Sequence, residues 1–122
     1  MATSSDYRLG SIWLIRFDPS IGSEIQKTRP GIIVSATAFN QRSRVTVLPI
    51  TSTTPKAKML PVMIAIAPSE TNGLDVESYA VCIDPATFDK KRLVKRLGQI
   101  EIEQIQQIKQ ILATYLDLEP PE

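Results

Sequence analysis

The chain has 122 residues, a formal net charge of +1 and 43% hydrophobic residues, which is the size and composition of one folded domain. It contains no histidine and one cysteine, so histidine acid–base catalysis, Cys/His zinc sites and intrachain disulfides are excluded. The cysteine, Cys82, lies in an apolar run, where we expect a buried and inert thiol.

The first half of the sequence predicts three strands. Residues 12–17 are rich in β-branched and aromatic side chains and are followed by turn-forming residues. Residues 31–35 are too short for a helix and are again rich in β-branched side chains. After residues 36–44, which have room for one helical turn, residues 44–50 resume the β pattern and include a proline that marks an edge, a bulge or a strand end.

The second half predicts two further strands and a candidate for a sixth. A loop rich in hydroxyl groups and proline, residues 51–56, leads to an apolar segment at residues 62–67. Asn72-Gly73 is typical of a turn. The next strand is expected at residues 78–83, and the sixth candidate covers residues 93–100.

Only the C-terminal stretch has a helical period. Apolar residues recur there at spacings of three and four, namely Ile102, Ile105, Ile108, Leu112, Tyr115 and Leu116. This pattern predicts an amphipathic helix from about residue 102 to residue 118, which Pro120-Pro121 ends. Its start is weakly marked, because Glu101 stands where Ser, Thr, Asp or Asn is preferred.

These elements predict a mainly β fold with a terminal helix: a small barrel or curled sheet of five to six strands covered by the helix. We expect residues 1–122 to form a single domain with its core at about residues 10–118, a short polar N-terminal tail and a proline-rich C-terminal tail. No apolar run approaches the roughly 20 residues of a membrane span, and the N-terminus lacks the pattern of a secretion signal. We therefore expect a cytoplasmic protein.

Several motifs occur one after another at defined spacings. The tryptophan-bearing strand within residues 10–19 is followed by Gly22-Ser23-Glu24 and then by Arg29-Pro30-Gly31. A later strand ends in Leu48-Pro49-Ile50-Thr51-Ser52. With these motifs and the C-terminal helix, the chain resembles the MazF/PemK family of toxin endoribonucleases from about residue 10 to residue 116.

The resemblance implies an SH3-like barrel that works as a homodimer. It further implies an enzyme that cuts single-stranded RNA at short preferred sequences, without a metal ion or another cofactor. An antitoxin protein is implied as the partner that holds the enzyme inactive. By matching motif to motif, the resemblance assigns the catalytic roles to Arg29, Thr51 and Glu24.

Those residue types suit RNA cleavage without a metal. The ribose 2′-hydroxyl attacks its own phosphate, so the protein must position the chain and stabilise a growing negative charge. Arg29 offers a planar fork of donors with a permanent positive charge, and Thr51 offers a hydrogen bond to the same oxygens. Glu24 is a candidate to take a proton or to orient Arg29. The proton acceptor stays open among Glu24, water and another residue.

Residues that flank the same two loops are candidates for RNA binding: Lys27, Thr28, Ser52 and Lys56. The alternative for each is an ordinary solvated loop residue. A shift of one position in the alignment would move the role of Thr51 to Ser52.

One segment departs from the family pattern. Where many members have Asp-Gln-x-Arg-Thr-x-Asp, we align Asp84-Pro85-Ala86-Thr87-Phe88-Asp89. This difference leaves open a shifted recognition sequence, or a barrel that binds RNA or protein without cutting. A further alternative is a gyrase-inhibiting toxin of the same fold, which would not need Arg29 for chemistry.

Overall fold

The computed structural model describes residues 6–17 and 28–118. Within them the chain forms seven strands and one α-helix, with short 3₁₀ turns between some of them. In chain order these elements are β1 (Ser11–Arg16), β2 (Thr28–Ile33), β3 (Arg44–Thr51), β4 (Met63–Ile66), β5 (Ser78–Val81), β6 (Ala86–Asp89), β7 (Leu93–Gln99) and α1 (Ile102–Tyr115).

All strand pairs in the described residues are antiparallel, and the strand order is β4-β5-β3-β2-β1-β7. The long strand β3 has two neighbours on one side. Its first half pairs with β6, whereas its last two residues pair with β5. The sheet is therefore curled but not closed.

The mainly β fold with a terminal helix is confirmed, with seven strands in place of the expected five to six. The additional strand is β6, whose residues the sequence assigns to a family motif and not to a strand. It has four residues, Ala-Thr-Phe-Asp, and so few positions carry no clear alternation of apolar and polar side chains. The helical turn expected within residues 36–44 is a 3₁₀ helix at Thr37–Gln41.

Both faces of the sheet are apolar. One face carries a cluster that α1 covers, and Ile12, Ile32 and Leu48 lie at its centre with no exposed surface. The other face carries a second cluster that includes Ile15 and Val47. Since β1, β2 and β3 contribute to both clusters, each has apolar residues at adjacent positions and not only at alternating ones, as in Ile32-Ile33 and Val47-Leu48.

The helix begins at Ile102, as predicted, and its N-cap is Glu101. The side-chain oxygen of Gln104 accepts a hydrogen bond from the Glu101 backbone N–H at 3.3 Å, half of a capping box. The helix ends at Tyr115, three residues before the predicted end. Asp117 adopts a left-handed backbone conformation (φ 55°) that stops it. No helix in the described part of the chain is long and apolar enough to cross a membrane.

Cys82 is fully buried, as expected for a structural thiol. Its Sγ donates a weak hydrogen bond to the Ala80 carbonyl at 3.7 Å. Burial raises the pKa of the thiol to about 11, so at neutral pH it stays protonated and a poor nucleophile.

Candidate active site

The sheet splits between β2 and β3 at one end, and a proline causes the split. The two strands pair at Ile33–Val47, Ile32–Leu48 and Gly31–Pro49 and no further. The Val34 N–H donates to the Thr46 carbonyl at 2.9 Å. Hydrogen-bonded pairs recur every second residue along an antiparallel ladder, so the register next requires a bond between position 30 and Ile50. Position 30 is a proline, which has no N–H to donate.

Beyond this point β2 and β3 are no longer paired with each other, and each is paired only with the strand on its other side. On one side β2 stays paired with β1, with Arg29 opposite Ile15. On the other side β3 stays paired with β5, with Thr51 opposite Tyr79. A cavity of about 570 Å³ lies where the two strands separate. It is lined by Leu14, Thr28, Arg29, Pro30, Ile50, Thr51, Ser52, Thr53, Gly73, Leu74, Asp75, Val76, Ser78 and Leu97.

The cavity brings together four of the seven predicted site residues. Arg29 and Thr28 come from the first two residues of β2, while Thr51 and Ser52 come from the end of β3. Thr51 is half-buried and the other three are exposed to solvent. Arg29 of the Arg-Pro motif and Thr51 of the Pro-x-Thr motif therefore line the same cavity.

Of the remaining three predicted residues, the structure describes Lys56. Lys56 is exposed, immediately precedes the 3₁₀ helix Ala57–Val62, and is not among the residues that line the cavity. Glu24 and Lys27 lie outside the described residues.

The Thr51 hydroxyl is held by a local hydrogen bond. Its Oγ1 accepts from the Thr53 backbone N–H at 3.1 Å. A hydroxyl has one donor hydrogen as well as two acceptor lone pairs. The contact with Thr53 therefore fixes the oxygen and leaves the O–H group available as a donor toward the cavity.

One wall of the cavity was missed by the sequence analysis: the loop from Gly73 to Ser78, which supplies Asp75. The signal for it is the Asn72-Gly73 pair, which the sequence analysis interprets only as a turn. Among the described residues that line the cavity, Arg29 is the one cation and Asp75 the one carboxylate. The cavity therefore has one positively and one negatively charged wall.

The turn before Asp75 is held from several sides. The Oδ1 atom of the buried Asn72 accepts from the N–H groups of Ser69 (3.0 Å) and Leu74 (2.9 Å), and its Nδ2 donates to the Ala67 carbonyl at 2.8 Å. Gly73 has a φ of +71°, and a Cβ there would lie 2.1 Å from the Leu97 carbonyl oxygen. Only glycine fits this combination of backbone conformation and close approach.

The segment that departs from the family motif lies elsewhere. Residues 86–89 form β6, which pairs with the first half of β3, from Arg44 to Val47. The cavity lies at the opposite end of β3 and is lined by no residue of the segment 84–89. The departure therefore leaves the walls of this cavity unchanged.

The described residues contain no group of three or more His, Cys, Asp or Glu side chains that could hold a metal ion. The polar side chains at the cavity are instead hydroxyl groups, one guanidinium and one carboxylate. This is a set of hydrogen-bond donors and acceptors suited to a polar, anionic ligand.

Comparisons with known proteins agree on one family. The family model described as "PemK-like, MazF-like toxin of type II toxin-antitoxin system" matches residues 8–116. Endoribonuclease MazF9 of Mycobacterium tuberculosis is 31% identical over 117 aligned residues, and the match covers 91% of this chain and 97% of that protein. Endoribonuclease PemK of Escherichia coli is 36% identical over 100 residues, covering 79% of this chain and 71% of PemK.

Solved structures agree as well. An endoribonuclease in complex with its cognate antitoxin, from a mycobacterial species, superposes with a TM-score of 0.72 at 26% identity. The match covers 93% of this chain and 98% of that one.

Proposed function

The chain belongs to the PemK-like, MazF-like toxin family of type II toxin–antitoxin systems, and we propose that it is their metal-independent endoribonuclease component, acting on single-stranded RNA. The observation that carries this proposal is the split between β2 and β3. Because of this split, Arg29 and Thr51 lie on opposite walls of one cavity. The cavity volume of about 570 Å³ falls in the range of pockets that hold compact organic ligands, which is room for a nucleotide.

In the proposed reaction the ribose 2′-oxygen bonds to the adjacent phosphorus while the bond to the 5′-oxygen breaks. One product ends in a 2′,3′-cyclic phosphate and the other begins with a 5′-hydroxyl. Arg29 donates two hydrogen bonds to the non-bridging oxygens, where negative charge grows. Thr51 adds a hydroxyl donor to the same oxygens.

Two protons must move in this scheme. Glu24 takes the proton from the 2′-hydroxyl, and water supplies one to the departing 5′-oxygen. Thr28, Ser52, Lys27 and Lys56 bind the phosphates on either side of the scissile one.

The proposal extends to the partners. We expect two copies of the chain to form the working unit and an antitoxin protein to hold it inactive in the cytoplasm. The support for the antitoxin is the solved mycobacterial relative, which is in complex with its cognate antitoxin. Light scattering after size-exclusion chromatography tests the homodimer directly.

The decisive experiment is cleavage of end-labelled RNA in EDTA by the wild type and by matched variants. The wild type should cut at preferred sequences and leave 2′,3′-cyclic phosphate ends. Arg29→Ala should lower the rate by about 10²–10³, the usual cost of removing one donor that stabilises such charge. Arg29→Lys should recover only part of this loss, because an ammonium keeps the charge without the planar fork.

Arg42 offers a matched control. It is an exposed arginine just after the 3₁₀ helix at Thr37–Gln41, and it does not line the cavity. Arg42→Ala should cut like the wild type. Absence of cutting by folded wild-type protein across several long RNAs would contradict the proposed function, as would complete inhibition by EDTA.

A further inference from the structure

The cavity carries a charge pattern that the proposed reaction does not use. Phosphate chemistry explains Arg29 and the hydroxyl groups, but it does not explain a carboxylate, because Asp75 repels an anion. Asp75 is exposed to solvent and lines the same cavity. Because an ionised carboxylate accepts hydrogen bonds, the part of a ligand that lies against Asp75 must donate them.

The two charged side chains lie on different walls. Arg29 belongs to β2, and Asp75 precedes β5 by three residues. The strand order is β5-β3-β2, so β3 lies between the two walls; two strand spacings amount to about 10 Å where the strands are paired, and β2 and β3 are no longer paired at Arg29. A nucleotide whose phosphate lies on Arg29 has its base one ribose length away from that phosphate, and Asp75 lines the same cavity.

The Asp75 wall has the mixed character that suits a base. Leu74 and Val76 flank Asp75, and Leu97 of β7 also lines the cavity. These apolar side chains can pack on the face of an aromatic base, while the carboxylate is placed to meet its polar edge.

Asp75 is also held on a rigid support. Asn72 makes three side-chain hydrogen bonds within the turn, and Gly73 packs directly on the Leu97 carbonyl. Leu74, the residue before Asp75, is 8% exposed. A backbone fixed to this degree can hold a side chain for discrimination between bases.

We infer, on the premise of the proposed function, that Asp75 is a specificity-determining residue that reads the base beside the scissile phosphate, and that it favours guanine. An ionised carboxylate only accepts hydrogen bonds. The Watson–Crick edge of guanine presents two adjacent donors, N1–H and the N2 amino group. Adenine and cytosine place an acceptor nitrogen beside their amino group, and uracil places its single N–H between two carbonyls.

The experiment compares guanosine with inosine, which lacks only the N2 amino group. Cleavage sites of the wild type are mapped on long RNAs, and the guanosine beside the cut is then replaced by inosine in a short substrate. The wild type should lose roughly tenfold to hundredfold in kcat/KM on inosine, the usual effect of one hydrogen bond to a charged group. In Asp75→Asn the guanosine-to-inosine ratio should fall close to one.

Glu77 provides the matched control. It is an exposed carboxylate two residues further along the same loop and does not line the cavity. Glu77→Gln should keep both the rate and the guanosine-to-inosine ratio of the wild type. Two results would overturn the inference: preferred sites without guanine beside the cut, or an unchanged guanosine-to-inosine ratio in Asp75→Asn, whether or not the rate of that variant falls.

Failure of the proposed function has a different signature, since the wild type would then not cut RNA at all. In that case binding is measured by fluorescence anisotropy, with a labelled oligouridylate that carries one central guanosine or inosine. Weaker binding of inosine by the wild type, lost in Asp75→Asn, supports base reading by Asp75 without catalysis. Equal binding of the two oligonucleotides, or binding of neither, overturns it.

Discussion

Pro30 provides a direct test of how the cavity forms. In the register of β2 and β3, position 30 lies where a backbone N–H would donate to Ile50, and the proline cannot donate. Pro30→Ala restores this donor. We expect the ladder between the two strands to extend by one hydrogen bond and the split to narrow.

The two energetic consequences of this substitution nearly cancel. A new backbone hydrogen bond stabilises the folded state by about 0.5–1.5 kcal/mol. Replacing the proline raises the conformational entropy of the unfolded chain, and this lowers the free energy of unfolding by about 0.4–1 kcal/mol. The free energy of unfolding should therefore change by less than about 1 kcal/mol. Cleavage should fall about 10²-fold, because a misplacement of about 1 Å of reacting groups has an effect of that size.

Three measurements on Pro30→Ala check the argument: urea denaturation, amide hydrogen exchange and the rate of RNA cleavage. The new amide at position 30 should be protected from exchange. Pro49→Ala is the matched control. Since hydrogen-bonded pairs between β2 and β3 fall on even positions such as Val34–Thr46, the nitrogen of Pro49 points away from β2. Rapid exchange at position 30 would show that the ladder does not extend there, and protected exchange together with wild-type cleavage would show that the split does not position the reacting groups.

Three further predictions concern stability. Asn72→Ala should lower the free energy of unfolding by about 2–4 kcal/mol in urea denaturation, because it removes three hydrogen bonds and leaves a buried N–H without a partner. The control is Thr71→Ala, at the exposed neighbouring residue, which should change the free energy of unfolding little. Gly73→Ala should cost more than the roughly 1–2 kcal/mol of a left-handed backbone alone, since its Cβ also meets the Leu97 carbonyl; an unchanged thermal midpoint would contradict this. Burial raises the pKa of Cys82 from 9.0 to about 11, so the unfolded chain loses the thiol proton at a lower pH than the folded chain. The contribution of the protonated thiol to the stability of the fold is therefore complete below pH 9 and is lost as the pH rises from 9 to 11. The stability of Cys82→Ala should fall less steeply than that of the wild type over this range, and parallel curves would show that the thiol does not contribute.

Strong local patterns explain which elements the sequence predicted. The segments predicted as the first three strands, residues 12–17, 31–35 and 44–50, are rich in β-branched or aromatic residues, and α1 has a regular spacing of apolar residues over four turns. Strand β6 exists because β3 offers it a partner, and nothing within four residues of sequence reveals that partner. The end of α1 is set by one residue, Asp117, whose left-handed backbone conformation has no sequence signature as strong as a glycine.

Some residues of the candidate site could be predicted from sequence motifs, and others are found only from the fold. Arg29 and Thr51 were identified because they belong to motifs with defined spacing. Asp75 was missed, since a single carboxylate in a loop carries no pattern until the fold brings it to the cavity. Lys56 is close to Thr51 along the chain, but it does not line the cavity.

The two motifs acquire a physical meaning from the sheet. An arginine before a proline is ordinarily a surface cation, and a threonine at a strand end is ordinarily a turn residue. In this fold the proline of the first motif ends the ladder between β2 and β3. Arg29 and Thr51 are therefore not paired with each other and belong to opposite walls of the cavity. Pro30, which carries no polar side chain, thus opens the space that Arg29 and Thr51 line, and the role proposed for Arg29 depends on the proline beside it.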